Sequence, residues 1–102
     1  MRLTDEEKQK IKRELAQRLG PEHEVRMVVV FGSFLTSDDP HDLDVAVFQD
    51  SDETYLPLAM KYRRLTREIA RRIPMDIVPL KAETREGWFW REVMTGEVVY
   101  ER

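Results

Sequence analysis

The chain has 102 residues, a net charge of −3 and no cysteine. This length allows one domain with a hydrophobic core, expected to span residues 1–102, but leaves no room for a separate substrate domain. The lack of cysteine excludes disulfides and thiolate metal sites, and the acidic balance disfavours direct nucleic-acid binding, which needs a surplus of Lys and Arg. There is no apolar run of about 18 residues and no leader-like segment, so the sequence predicts a cytoplasmic protein without a membrane segment.

The first predicted element is a helix that begins after Thr4. Glu7 follows three residues later, and this spacing is typical of a capping box, in which each side chain binds the other residue's backbone amide. An apolar stripe at four-residue spacing follows, formed by Ile11, Leu15 and Leu19. Gly20 and Pro21 then end the helix. We interpret this segment as a scaffold helix that packs against a sheet.

The next element is a strand from Met27 to Phe31. The run is continuously apolar and rich in β-branched residues, which is typical of a strand buried on both faces. It ends at Gly32 and Ser33, where backbone amides and a hydroxyl could meet a phosphate group. A short helical turn is predicted over residues 34–37.

The second strand carries two acidic residues inside an apolar run. Because side chains alternate along a strand, one face receives Leu43, Val45 and Val47, and the other receives Asp42, Asp44, Ala46 and Phe48. The two carboxylates therefore project side by side, close enough to share a pair of metal ions ~3.5–4 Å apart. The plainer interpretation is that Asp42 only ends a loop, since this spacing is common in turns.

A long helix is predicted after a polar turn at residues 49–54. Its apolar face is formed by Leu58, Tyr62, Leu65, Ile69 and Ile73. Its other side carries Lys61, Arg63, Arg64, Arg67, Arg71 and Arg72. Such a basic run is usually a solvated face; the alternative is a basic strip that faces a triphosphate or an acidic partner. Pro74 ends this helix.

The last part of the chain supplies a third carboxylate and an aromatic cluster. Asp76 lies in a short apolar strand, so three carboxylates on neighbouring strands are expected to converge. Residues 88–90 are Trp-Phe-Trp in a helix that Gly96 ends, and residues 97–100 form a last strand. These aromatics are either core residues or, where exposed, an anchor for a base or a protein. The order of elements predicts an α/β (α+β) domain with a mixed β-sheet of about four strands flanked by helices.

This arrangement of residues resembles a known superfamily. An apolar strand, Gly32-Ser33, the pair Asp42 and Asp44, and a later Asp76 between apolar residues resemble the nucleotidyltransferases typified by DNA polymerase beta. In size, the chain is similar to the minimal nucleotidyltransferases that partner HEPN-domain proteins. The sequence departs from their commonest form, because it has Phe-Leu-Thr instead of arginines after Gly-Ser and only eight residues between Ser33 and Asp42.

The resemblance implies a mechanism and its cofactors. Asp42 and Asp44 would hold two Mg²⁺ ions, with Mn²⁺ as a substitute, and Asp76 would complete the site of the ion that activates the attacking hydroxyl. Gly32 and Ser33 would bind the phosphates of a nucleoside triphosphate, ATP in the favoured reading. AMP would then be transferred to a HEPN-type protein partner, in a homo- or hetero-oligomer, by the antitoxin of a toxin–antitoxin pair.

Two other functions remain open at this stage. The chain could be a binding-only antitoxin that blocks its partner sterically and has little or no turnover, as the missing arginines would permit. It could also transfer nucleotides to RNA or to a small molecule. We disfavour this last function because the chain has neither a basic surplus nor room for a second substrate-binding domain.

Overall fold

The computed structural model describes residues 2–102, apart from the side chains of Trp88 and Phe89. The choice between core residues and an exposed anchor, left open for the aromatics at residues 88–90, therefore lies outside the described residues for Trp88 and Phe89. In chain order the elements are α1 (Asp5–Leu19), β1 (Val25–Phe31), α2 (Ser33–Thr36), β2 (Leu43–Gln49), α3 (Tyr55–Leu65), α4 (Arg67–Ala70), β3 (Met75–Lys81), α5 (Trp88–Met94) and β4 (Glu97–Glu101).

The four strands form a single mixed sheet in the order β3-β2-β1-β4. β1 pairs antiparallel with both β2 and β4, whereas β2 and β3 are parallel. A parallel pair requires a crossover connection, and here α3 and α4 supply it. The predicted fold class, a mixed sheet of about four strands flanked by helices, is confirmed.

The buried side chains of the described residues form a cluster on each face of the sheet. The larger cluster joins α1, α3 and α4 to Val28, Val30, Leu43, Val45 and Val47. The smaller one consists of Val29, Phe31, Ala46, Phe48 and Val93, with Trp90 packed against it. The predicted alternation along β2 is therefore confirmed, and the face that carries Asp44 is the one that α5 partly covers.

The start of α1 has the predicted capping box. The Thr4 hydroxyl accepts a hydrogen bond from the Glu7 amide at 3.1 Å, and a Glu7 carboxylate oxygen accepts one from the Thr4 amide at 2.9 Å. The predicted apolar stripe of this helix is buried in the larger cluster. α1 is therefore the scaffold helix that the sequence predicts.

The prediction of one long helix after residue 54 is wrong, because the helix breaks at Thr66. The Thr66 hydroxyl donates a hydrogen bond to the Tyr62 carbonyl at 2.8 Å, and the Thr66 backbone has left the helical region, with φ −107° and ψ 15°. A threonine side chain that bonds to the preceding turn competes with the helical backbone ladder. The crossover is therefore two helices, although the apolar stripe continues across the break.

A buried carboxylate fixes α3 against the beginning of β1. Glu24 is only 3% exposed and accepts hydrogen bonds from the Tyr62 hydroxyl at 2.8 Å and from Lys61 at 3.0 Å. Although burial raises the pKa of Glu24, these two hydrogen bonds outweigh burial and lower its pKa. Burial and the adjacent Glu24 raise the pKa of Tyr62, so the hydroxyl remains a donor. Because α3 is held here, its other residues have a defined position beside β3.

No helix in residues 2–102 combines the length and the apolarity that a membrane crossing would require.

Candidate functional site

Three carboxylates converge at the start of β2 and β3. Asp44 is the direct partner of Asp76 in the parallel ladder, and Asp42 lies just before β2, where the Leu43 amide donates a hydrogen bond to the Pro74 carbonyl at 2.8 Å. One carboxylate oxygen from each of the three residues lies within 4.8 Å of the others. The predicted convergence of the three residues is confirmed.

The electrostatics of this cluster disfavour the ionised form of Asp44. Burial, followed by the negative charges of Asp42 and Asp76, raises the pKa of Asp44 above its usual value. Opposing charge would relieve this repulsion, and carboxylate oxygens are the ligands that Mg²⁺ and Mn²⁺ prefer. The three side chains therefore fit a divalent-cation site.

The turn between β1 and α2, which we call the Gly32-Ser33 corner, lies against the carboxylates. Gly32 has a φ of +82°, and a Cβ atom at this position would lie 2.5 Å from Oδ2 of Asp44. Only glycine gives both this backbone conformation and this clearance. Ser33 follows at the first position of α2. The structure thus brings Gly32 and Ser33, which the sequence predicts to bind phosphate, beside the acidic cluster.

A cleft of about 410 Å³ opens from the cluster along β3. Asp44 and Asp76 line one part, with Arg63 and Tyr55 of α3 and Glu92 of α5 around them. Its volume lies in the range of ~300–1,000 Å³ that is common for small-molecule sites. Arg63 supplies a positive charge beside the carboxylates of this cleft, and Arg67 is not among the residues that line it.

A comparison with protein families decides what kind of protein has this site. Residues 9–102 match the family model described as polymerase beta, nucleotidyltransferase. The chain belongs to this family. None of the curated proteins compared with it matches.

Family membership assigns this nucleotidyltransferase a nucleotide substrate and a transferase activity in the general sense. The resemblance to the superfamily of DNA polymerase beta, inferred from Gly32-Ser33 and the three aspartates, is confirmed. Members typically use divalent metals, which agrees with the acidic cluster.

The residues after Gly-Ser in this nucleotidyltransferase serve packing. Phe34 is fully buried in the larger cluster, and Leu35 packs against it. Lys8 reaches from α1 to bind the Ser37 carbonyl and lies over the Phe34 ring, 5.6 Å from its centroid. The corner is therefore anchored to α1, and the two positions directly after Ser33 direct apolar side chains inward.

The basic residues from Lys61 to Arg72 divide into two groups. Three of them form ion pairs: Lys61 with Glu22 and Glu24, Arg71 with Glu68, and Arg72 with Glu14. For these three, the plainer interpretation of a solvated, ion-paired face holds. Arg63, Arg64 and Arg67 are exposed and form no ion pair with the described part of the chain.

Two lining residues, Tyr55 and Glu92, were not identified from the sequence. Tyr55 precedes Leu58 and Tyr62 by three and seven residues, so helical periodicity alone places it with the buried stripe. It is exposed because it is the first residue of α3 and extends past the core. Glu92 enters the cleft through the position of α5 across the sheet, for which the local sequence gives no signal.

Proposed function

We propose that this nucleotidyltransferase, acting as one domain over residues 1–102, transfers AMP from ATP to a hydroxyl group on a partner protein. The oxygen of that hydroxyl would form a bond to the α-phosphorus, the bond to the β-phosphate would break, and pyrophosphate would leave. The observation that carries this proposal is the convergence of Asp42, Asp44 and Asp76 beside the Gly32-Ser33 corner. Phosphoryl transfer depends mainly on positioning and charge stabilisation, and this site offers both.

The acidic residues have distinct roles in the proposal. Asp42 and Asp44 would hold two divalent ions, Mg²⁺ or Mn²⁺, and Asp76 would complete the site nearest the acceptor. When bound, such ions supply charge stabilisation to the reacting phosphate. Asp76 is the exposed member of the cluster, so an acceptor hydroxyl can approach it from solvent and transfer its proton to it.

The remaining contacts to the nucleotide come from the corner and from α3. Because Gly32 lacks a side chain, the backbone can approach the β- and γ-phosphates closely, and Ser33 offers them an amide and a hydroxyl. Arg63 replaces part of the positive charge that arginines after Gly-Ser supply in related proteins. It lines the cleft from α3 and has no ion pair in the described part of the chain.

The exposed face of α3 supports a protein acceptor. Leu56 and Met60 are 61% and 56% exposed, and Arg64 lies one turn farther along α3. Arg67 follows at the start of α4, and neither arginine forms an ion pair with a described residue. Residues 55–67 contain four Lys or Arg and no Asp or Glu. An apolar patch beside unpaired positive charge fits an acidic protein partner, and we propose a HEPN-type toxin in a hetero-oligomeric complex with this chain as the antitoxin.

The partner surface differs from the one suggested by the aromatic cluster. Trp90 is half-buried and packs edge-on against Phe48, with ring centroids 5.8 Å apart. Trp90 thus stabilises the smaller core cluster, and we assign the docking role to Leu56 and Met60 instead.

A binding-only antitoxin is the second candidate function. The observation that favours it is the burial of Phe34, which leaves the position after Ser33 without a phosphate-binding cation. One charge-assisted hydrogen bond is worth ~1.5–3 kcal/mol, equivalent to about a tenfold to hundredfold change in affinity. Weak nucleotide binding by the isolated chain is therefore expected in either case. Transfer to RNA or a small molecule has no comparable support, because the net charge is −3.

The two candidates are separated by incubating the chain with its co-purifying protein, Mg²⁺ and ATP labelled at the α-phosphate. The enzyme proposal predicts label on the partner, none when the label is at the γ-phosphate, and none with Asp44→Asn. Asp52→Asn removes an exposed carboxylate from a loop away from the cluster and should leave labelling intact. Partner neutralisation that persists in the Asp42→Asn, Asp44→Asn double variant without any label would establish the binding-only function.

A further inference from the structure

We propose that Tyr55 forms a nucleobase subsite, in which its ring stacks on the purine of the bound nucleotide. This inference rests on the proposed function for the position of the phosphates, at the acidic end of the cleft. Tyr55 is 54% exposed and lines the same cleft as Asp44, Asp76 and Arg63. Phe31 also lines the cleft but is only 8% exposed, so Tyr55 presents the more accessible ring to a flat, weakly polar ligand.

The position of Tyr55 along β3 matches the length of a nucleotide. Tyr55 lines this cleft and also a neighbouring hollow that is formed farther along β3, at Pro79 and Leu80. Tyr55 therefore lies towards the end of the cleft that is away from Asp76, and Pro79 and Leu80 follow Asp76 by three and four residues, or about 10–13 Å of strand at 3.3 Å per residue. That separation leaves space for a ribose between the phosphate end and the ring.

The charges of the cleft orient the nucleotide in the same direction. Near the acidic cluster, Arg63 provides positive charge and the Gly32-Ser33 corner provides amide donors. The triphosphate therefore belongs at that end of the cleft. Tyr55 carries no charge and offers a ring face, which suits the base and not the phosphates. Stacking is tolerant of base identity because every base has a π-face. We therefore expect ATP and GTP to bind similarly, and pyrimidine nucleotides, with a smaller ring, to bind less tightly.

The test compares a nucleotide with a ligand that has the triphosphate but neither the ribose nor the base. A non-hydrolysable ATP analogue and inorganic tripolyphosphate are each titrated with Mg²⁺ into the wild-type chain and its variants by calorimetry. Tyr55→Ala should weaken binding of the ATP analogue about five- to hundredfold and leave tripolyphosphate binding unchanged. Tyr55→Phe keeps the ring and should bind like the wild type. Val98→Ala, at a similarly exposed apolar position outside the cleft, is the control and should change neither affinity.

The outcomes separate this inference from the proposed function. If the wild-type chain binds neither ligand, or if Asp44→Asn changes neither affinity, the phosphate end of the site is wrong and the proposed function fails with it. If the wild type binds both ligands but Tyr55→Ala binds the ATP analogue normally, only the base subsite is overturned. Loss of both ligands in Tyr55→Ala would also overturn it, because that loss would show a structural role. Normal nucleotide binding with impaired partner binding would assign Tyr55 to protein docking instead.

Discussion

Oδ2 of Asp44 occupies the space that a side chain on Gly32 would need, since a Cβ atom there would lie 2.5 Å from this oxygen. Gly32 also has φ +82° and ψ −157°, a conformation that is essentially restricted to glycine. The Gly32-Ser33 corner and the acidic cluster are therefore coupled sterically, because a side chain added at Gly32 would displace the Asp44 carboxylate.

This coupling predicts two separate effects of Gly32→Ala. The backbone conformation should cost about 1–3 kcal/mol of unfolding free energy, and the displaced Asp44 should reduce divalent-metal binding. Gly87→Ala is the matched control, because Gly87 has φ +96° and nothing within 4 Å of its added Cβ atom. Denaturation curves with and without Mg²⁺ should show lost stability in both variants but lost metal binding only in Gly32→Ala. Equal metal binding in the two variants would contradict the coupling.

The raised pKa of Asp44 predicts that the metal-free protein is destabilised by its own site. A carboxyl group whose folded pKa is raised favours folding only while it is protonated. The ionised group opposes folding once the pH exceeds the folded pKa. In the presence of a chelator at pH 7, Asp44→Asn should therefore be more stable than the wild type, by at most about 1 kcal/mol because solvent screens these partly exposed charges.

The pH dependence provides the check on this explanation. The advantage of Asp44→Asn should disappear as the pH falls through the raised folded pKa towards the unfolded value of 3.8. Melting temperatures measured from pH 3 to pH 8 would show it, with Asp52→Asn as an exposed carboxylate control. An advantage that persists unchanged at the lowest pH would point to packing and not to charge.

Divalent cations should make the wild-type chain more stable than Asp44→Asn, which reverses the order expected with a chelator. Ligands that bind only the folded state stabilise it by mass action, by ~2.7 kcal/mol at a concentration of 100 Kd. Mg²⁺ or Mn²⁺ should therefore raise the Tm of the wild-type chain, and Asp44→Asn or Asp42→Asn should abolish most of the increase. If the increase is the same in these variants, the ions bind at another place.

The exposed face of α3 predicts a variant that separates binding from folding. Met60→Glu places a negative charge in the apolar patch beside Arg64 and Arg67, where an acidic partner is expected, so partner affinity should fall at least tenfold. The Tm should change little because Met60 is exposed. Met94→Glu changes an exposed methionine on α5 and is the control. Equal losses of affinity in both variants would argue against docking on α3.

The parts of the structure that depend on local pattern were determined by the sequence. The capping box at Thr4 and Glu7, the buried β1 and the alternation along β2 all follow from short-range geometry. The alternation alone puts Asp42 and Asp44 on the same face, and the order of elements then gives a mixed sheet. Asp76 also follows, because parallel neighbours in a sheet bring equivalent positions together. For these features, the regular repeat of side-chain directions along a helix or strand leaves few alternative arrangements.

Other features were decided only by tertiary packing. The break at Thr66 depends on one hydroxyl binding to the preceding turn, which competes closely with a continuous helix. Lys61 forms an ion pair that Arg63 lacks, because the buried Glu24, distant in sequence, lies beside Lys61. Tyr55 and Glu92 meet in one cleft because α3 and α5 pack at particular places on the sheet. Contacts between residues far apart in the chain follow from how whole elements fit together, and no local period encodes that fit.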